Sequence, residues 1–262
     1  MRDLVLAGFR PRTSPPTTAS VLRSILWPLA IMAVIHRSYV QATNGYITDD
    51  FAPVYRAVVN FKLGWDIYNE NFNHVDPHYL YPPGGTLIMA PFGYLPVDAS
   101  RYWFIFFNTL AIVLAAYFLL RLFKFTLASV AAPALLLAMF CTENVTNTLV
   151  FGNINGPILL LEVLFFRWLL DGNKSHEWWA GVAIGLTLVV KPLLAPLLLL
   201  PLLNRQWRAL ATAFAVPLVF NAVAWPLISD PMSFVTRTLP YILSTRDYFN
   251  SSILGNGVYY GL

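Results

Sequence analysis

Apolar positions gather into six blocks, at residues 21–39, 102–123, 127–141, 157–170, 178–203 and 207–228, with polar segments between them. Blocks of about 20 apolar residues match the hydrocarbon thickness of a bilayer, so each predicts a membrane-crossing helix. The first block is the weakest, because Arg23, His36 and Arg37 shorten its uncharged centre. A cleaved signal peptide is the alternative there, but no small-residue cleavage site follows.

The block at 178–203 is interrupted by Lys191-Pro192. Proline cannot continue a helix, and a half-helix pair is tolerated in a membrane where it lines a cavity. The expectation is a segment that enters and returns, with Lys191 at its outer tip. A single kinked span is the other possibility. Between the first two blocks, Val54, Val58, Phe61 and Leu63 recur at roughly helical spacing, after Pro53 and before Gly64. This predicts a short amphipathic helix lying along the outer membrane face.

Composition strengthens this reading. The 262 residues are 57% hydrophobic and 11% charged, with a mean hydropathy of +0.59. Soluble domains carry about 25% charged residues, so this chain could not cover a water-facing surface. A cytosolic enzyme, a nucleic-acid binder and a disordered chain are thereby excluded. One cysteine, Cys141, allows neither an internal disulfide nor a cysteine metal cage.

With the re-entrant segment accepted, ten basic residues and three acids fall on one side of the membrane. Seven basic residues and nine acids fall on the other, and Glu162 stays within it. That asymmetry places residues 1–20 in the cytoplasm. The segments at 41–101, 142–155 and 229–262 are then extracytoplasmic. The chain stops inside the last of these, which reads as a piece of a longer protein.

The long outer segment holds the candidate chemistry, since long loops in compact proteins are usually functional. Asp49 and Asp50 stand just before the expected amphipathic helix. One of them can cap it, and one can serve as a general base at the membrane boundary. His74, Asp76 and His78 alternate in a way that suits a divalent metal, although no further ligand completes a set. His78 could equally hydrogen-bond a polar substrate. Tyr79-Leu80-Tyr81-Pro82-Pro83-Gly84-Gly85 is a rigid turn whose tyrosines suit a sugar site or an interfacial belt. Asn153 and Asn155, in Gly152-Asn153-Ile154-Asn155-Gly156, can bind hydroxyls or cap the following helix. Glu162 is either functional or paired with Lys191, and Lys191 either meets a phosphate or snorkels to the interface.

These segments together resemble the polyprenyl-phosphate-dependent glycosyltransferases of family 87. The resemblance rests on Asp50-Phe51 with Val54-Tyr55, Tyr81-Pro82-Pro83, Gly152-Asn153-Ile154-Asn155, Lys191-Pro192 ahead of a basic turn with Trp207, and Asn250 two residues before Ser252. The family often has Gln where this chain has Asn153. The stretches at 6–12, 64–70 and 246–250 are similar to members that transfer arabinofuranose.

The resemblance implies an all-α polytopic fold of the GT-C type, with residues 1–262 forming the N-terminal portion of one transmembrane domain. It implies a multi-pass protein of the plasma membrane with an extracytoplasmic active site. The implied donor is decaprenyl-phosphoryl-arabinofuranose and the acceptor an arabinan. The product is an α-1,3 branch in arabinogalactan and lipoarabinomannan, formed with inversion. Asp50 takes the position of the base, with Asp49 as alternate or partner. His78 and Tyr81 orient hydroxyls, Lys191 faces the donor phosphate, and Asn250 touches the same cavity. No cofactor is implied, with a divalent metal left open, and no nucleic acid. A polyprenyl-phosphomannose-dependent mannosyltransferase and a lipid-linked sugar transporter are the competing readings.

Overall fold

A computed structural model describes residues 17–41, 50–73 and 77–244, and in these residues the chain is helical with no strands. Three helices are long and apolar enough to cross a membrane. The first is α1 (Thr18–Ile35), opened by the Thr17 side chain and continued by a π-helical turn to Gln41. The loop helix α2 (Phe51–Leu63) follows, then α3 (Pro83–Met89), with Pro82 as its N-cap. The second long helix, α4 (Val97–Leu122), begins five residues before the apolar block at 102. Pro96 and first-turn Asp98 start it there, since both favour a helix N-terminus.

Next come α5 (Ala131–Cys141), α6 (Glu143–Val150), α7 (Asn155–Leu169) and α8 (His176–Val190). A 3-10 turn at Pro192–Leu198 leads to α9 (Leu199–Leu203). The third long helix, α10 (Trp207–Ala224), runs on through a 3-10 turn to Leu227. A last short helix, α11 (Leu239–Leu243), ends the described chain. With 11 residues, α5 spans only about 17 Å. It is too short for the full crossing that the block at 127–141 predicts.

The break at Lys191-Pro192 produces the expected return. Gln206 donates from Nε2 to the Leu169 carbonyl at 3.0 Å, and Arg208 donates to the Lys174 carbonyl. Both ends of the segment therefore lie at the same end of the molecule. Small residues make this possible. A Cβ on Gly181 would lie 2.4 Å from the Ala209 carbonyl, so α8 and α10 touch backbone to backbone. Close approach at glycine and alanine is how helices gain packing energy in lipid. Phe165, Leu169, Ile184 and Leu198 complete this cluster.

A second cluster holds the outer segment. Phe51, Val54 and Val58 are buried, together with Met89, Phe104, Ile158 and Val190. For Phe51, Val54 and Val58, on a helix outside the long apolar blocks, removal from water is worth about 1.5–3 kcal/mol each. The amphipathic helix is thus present, ending at Gly64 with φ 71°; Val54 and Val58 of its apolar stripe face protein, and Leu63 at its end is exposed. Buried Thr86 meets the Tyr79 hydroxyl at 2.8 Å, and the Tyr68 hydroxyl donates to the Tyr81 carbonyl at 3.0 Å. These bonds lock the Tyr81-Pro82-Pro83 turn onto the core.

Candidate active site

Three chain segments far apart in sequence meet at one cavity of about 580 Å³. The first is the start of α2. Asp50 is its N-cap, yet its side chain makes no capping bond. Its Oδ2 instead accepts from Asn153 Nδ2 at 2.9 Å. The Phe51 amide donates to the Phe151 carbonyl at 3.2 Å, which ties the two segments together by backbone as well.

The second segment is the turn from α6 to α7. Helix α6 ends in a Schellman motif. The Asn153 amide reaches the Thr148 carbonyl, the Gly152 amide reaches Leu149, and Gly152 has φ 62°. Glycine holds that left-handed conformation without strain, and the reversal brings Asn153 to Asp50. Helix α7 then starts at Asn155, where the Gly156 amide donates to Asn108 Oδ1 at 3.0 Å. Asn155, Ile158, Leu159 and Glu162 all line the cavity, so one face of α7 forms its wall. Glu162 sits about 10 Å below Asn155 along that face.

The third segment is the end of α8. Lys191 is held there because the residue before a proline leaves the helical region, here with φ −128° and ψ 81°. Its Nζ donates to Asn153 Oδ1 at 3.3 Å and to Asn155 Oδ1. The Asn153 amide therefore uses both ends, giving a proton to a carboxylate and accepting one from an ammonium. Hydrogen bonds to charged groups are stronger than neutral ones. Asp50 and Glu162 are the carboxylates whose charge bears on Lys191. A carboxylate, a cation and two amides thus share one opening, an arrangement able to take a proton from a hydroxyl beside a bound anion.

The sequence candidates separate as follows. Asp50 and Lys191 line the same cavity. Tyr81 packs just behind it: burial, and then the Asp50 charge, push its phenol well above the ordinary tyrosine range. It remains a proton donor at physiological pH. His78 is set apart from the cavity. It lies edge-on against the stacked rings of Phe72 and Tyr241, with its Nδ1 3.4 Å from Glu70. Asp49 and Asn250 lie outside the described residues, as do His74 and Asp76. Among the described residues, no group of three His, Cys, Asp or Glu side chains converges.

Asn153, Asn155 and Glu162, which the sequence offered as hydroxyl-binding or capping amides and as a functional or Lys191-paired acid, line the cavity, although the site residues implied by the resemblance did not include them. The expected capping role of the asparagines is not seen, because α7 has no side-chain cap. Two amides flanked by glycines at a helix start were the available signal.

The family model for Glycosyltransferase family 87 matches residues 79–262. A protein of Mycolicibacterium smegmatis named alpha-(1->3)-arabinofuranosyltransferase is 75% identical over 98% of this chain and 60% of its own length. A protein of the same name from Mycobacterium tuberculosis has the same identity and coverage. A third, from Corynebacterium glutamicum, is 45% identical over 96% of this chain and 61% of its own length. The chain thus spans about three fifths of the length of the curated relatives it matches. No solved structure matches it.

Proposed function

Because the chain belongs to glycosyltransferase family 87, we propose that it transfers an arabinofuranosyl unit from decaprenyl-phosphoryl-arabinofuranose to an arabinan, forming an α-1,3 branch. The observation that carries this reading is the Asp50 carboxylate, uncapped and held by Asn153 at the mouth of a cavity that also holds Lys191. The names of the relatives support the sugar and the linkage.

The β-linked donor and α-linked product call for one inverting displacement. Asp50 accepts the proton of the acceptor's 3-hydroxyl as that oxygen forms its bond to the anomeric carbon. The bond from that carbon to the phosphate oxygen breaks on the opposite face, and decaprenyl phosphate leaves. A phosphate leaving group needs charge stabilisation more than a proton, and Lys191 supplies it. One carboxylate suffices, by the same logic that separates inverting from retaining hydrolases. Asn153 orients base and cation together, and Tyr81 backs the base. In this reading the lipid tail lies in the bilayer, the cavity opens to the extracytoplasmic side, and residues 1–20 are cytoplasmic. Branching of arabinogalactan and lipoarabinomannan is the corresponding role.

The test uses membranes containing the full-length protein, synthetic decaprenyl-phosphoarabinose and a linear α-1,5-arabinan. Wild type is expected to give an α-1,3-branched product, and Asp50→Asn to lower turnover by a factor on the order of 10³. Retained turnover in Asp50→Asn moves the base elsewhere. Product formation only with a mannose donor overturns the arabinosyl reading.

A further inference from the structure

A second polar cavity, of about 290 Å³, lies at the other end of α7 and is lined by Arg121, Lys124, Arg167, Asp171 and His176. Along α7 its Arg167 lies five residues, about 7.5 Å, beyond Glu162, the deepest α7 residue of the candidate cavity. Three cations meet one carboxylate there, and that carboxylate is already engaged by His176 Nδ1. Among the described residues none of the three cations has a carboxylate within ion-pair distance. Arg167 lies over the Phe118 ring at 5.9 Å.

The backbone makes a point of Lys124. Helix α4 closes in a Schellman motif, with the Phe125 amide on the Leu120 carbonyl and the Lys124 amide on Arg121. Lys124 occupies the left-handed position, with φ 62°, which glycine would hold without strain. The chain carries a lysine there, as it carries Arg205 with φ 56° in the matching turn after α9.

The surroundings are apolar and exposed: Phe123, Phe125 and Leu170 all face outward at this rim. We propose that the Arg121–Lys124–Arg167 pocket binds the phosphate of an anionic phospholipid, whose acyl chains lie along these exposed side chains. Two guanidinium forks match phosphate oxygens, and the ammonium adds a point charge. Basic pockets between membrane helices are suited to lipid head groups, and the cavity is larger than a lone phosphate needs.

The experiment uses the full-length protein in a neutral detergent and measures its melting temperature and lipid adducts by native mass spectrometry. The probes are short-chain phosphatidylglycerol, the matching phosphatidylcholine, and inorganic phosphate. Phosphatidylglycerol is expected to raise the melting temperature and remain as an adduct, and phosphatidylcholine to do neither. Arg121→Gln with Arg167→Gln should weaken phosphatidylglycerol binding about 25-fold, about fivefold per charge. Lys124→Gly should weaken it about fivefold while raising the melting temperature of the lipid-free protein, so a folding defect cannot mimic the result. Arg205→Gln with Arg208→Gln, outside the pocket, should change binding less than twofold. Undiminished binding in the first two variants overturns the site. Equal stabilisation by inorganic phosphate overturns the lipid as its ligand.

Discussion

Removing the Asn153 amide is expected to disable the site while leaving the protein folded. The amide makes two bonds to charged groups, at 2.9 Å to Asp50 and 3.3 Å to Lys191. A bond to a charged group contributes about 1.5–3 kcal/mol. The cavity admits water that partly replaces both, so one such bond is a fair measure of the net loss in Asn153→Ala. This corresponds to a fall in kcat of roughly 10- to 150-fold. The donor KM should change less, since the loss falls on the placement of the base.

Asn153→Asp sharpens the test. At the same positions and an effective dielectric of 20, the new carboxylate repels Asp50 by about 6 kcal/mol and attracts Lys191 by about 5 kcal/mol. The variant should therefore fold, but two carboxylates would then share one ammonium. One of them retains its proton to higher pH. The acid limb of the kcat/KM profile should move to higher pH, and alkaline conditions should recover part of the loss. The assay is the branched-arabinan assay with both variants across pH. Asn153→Ala within twofold of wild type, or an unmoved acid limb in Asn153→Asp, would refute the bridging role.

Lys191→Met should lower kcat/KM for the lipid-linked donor by about 10- to 100-fold, with Lys191→Arg recovering part of it, measured by donor titration. Gly181→Ala forces a Cβ to within 2.4 Å of the Ala209 carbonyl. It should destabilise the protein by about 1–3 kcal/mol, read as a lower melting temperature in detergent. His78→Leu should lower stability through lost packing on Phe72 and Tyr241, with donor kcat/KM within about threefold of wild type, because His78 does not line the cavity. A larger catalytic loss would place it on the acceptor path.

Much of the architecture was legible because it depends on local properties. Partition between lipid and water is decided window by window, so the long helices at Thr18–Val40, Val97–Leu122 and Trp207–Leu227 fall on the apolar blocks. Helix stops are also local: Gly64 ends α2, and Lys191-Pro192 ends α8. The positions of Asp50 and Lys191 at element ends could be read the same way. Their meeting could not, because Asp50 and Asn153 are 103 residues apart and nothing in either segment names the other.

Tertiary packing decided the rest. The stripe Val54–Val58 is equally apolar against lipid or protein, and only the neighbouring Met89, Phe104 and Ile158 turn it inward. His78 reads as a ligand in isolation, and Phe72, Tyr241 and Glu70 make it a packed side chain. The asparagines at 153 and 155 read equally as hydroxyl binders or helix caps, until the turn at Gly152 carries them to a carboxylate and an ammonium. Hydropathy and helix signals act over a few residues and so are written in the chain itself. A hydrogen bond between distant segments exists only once the backbone has placed its donor and acceptor within about 3 Å of each other.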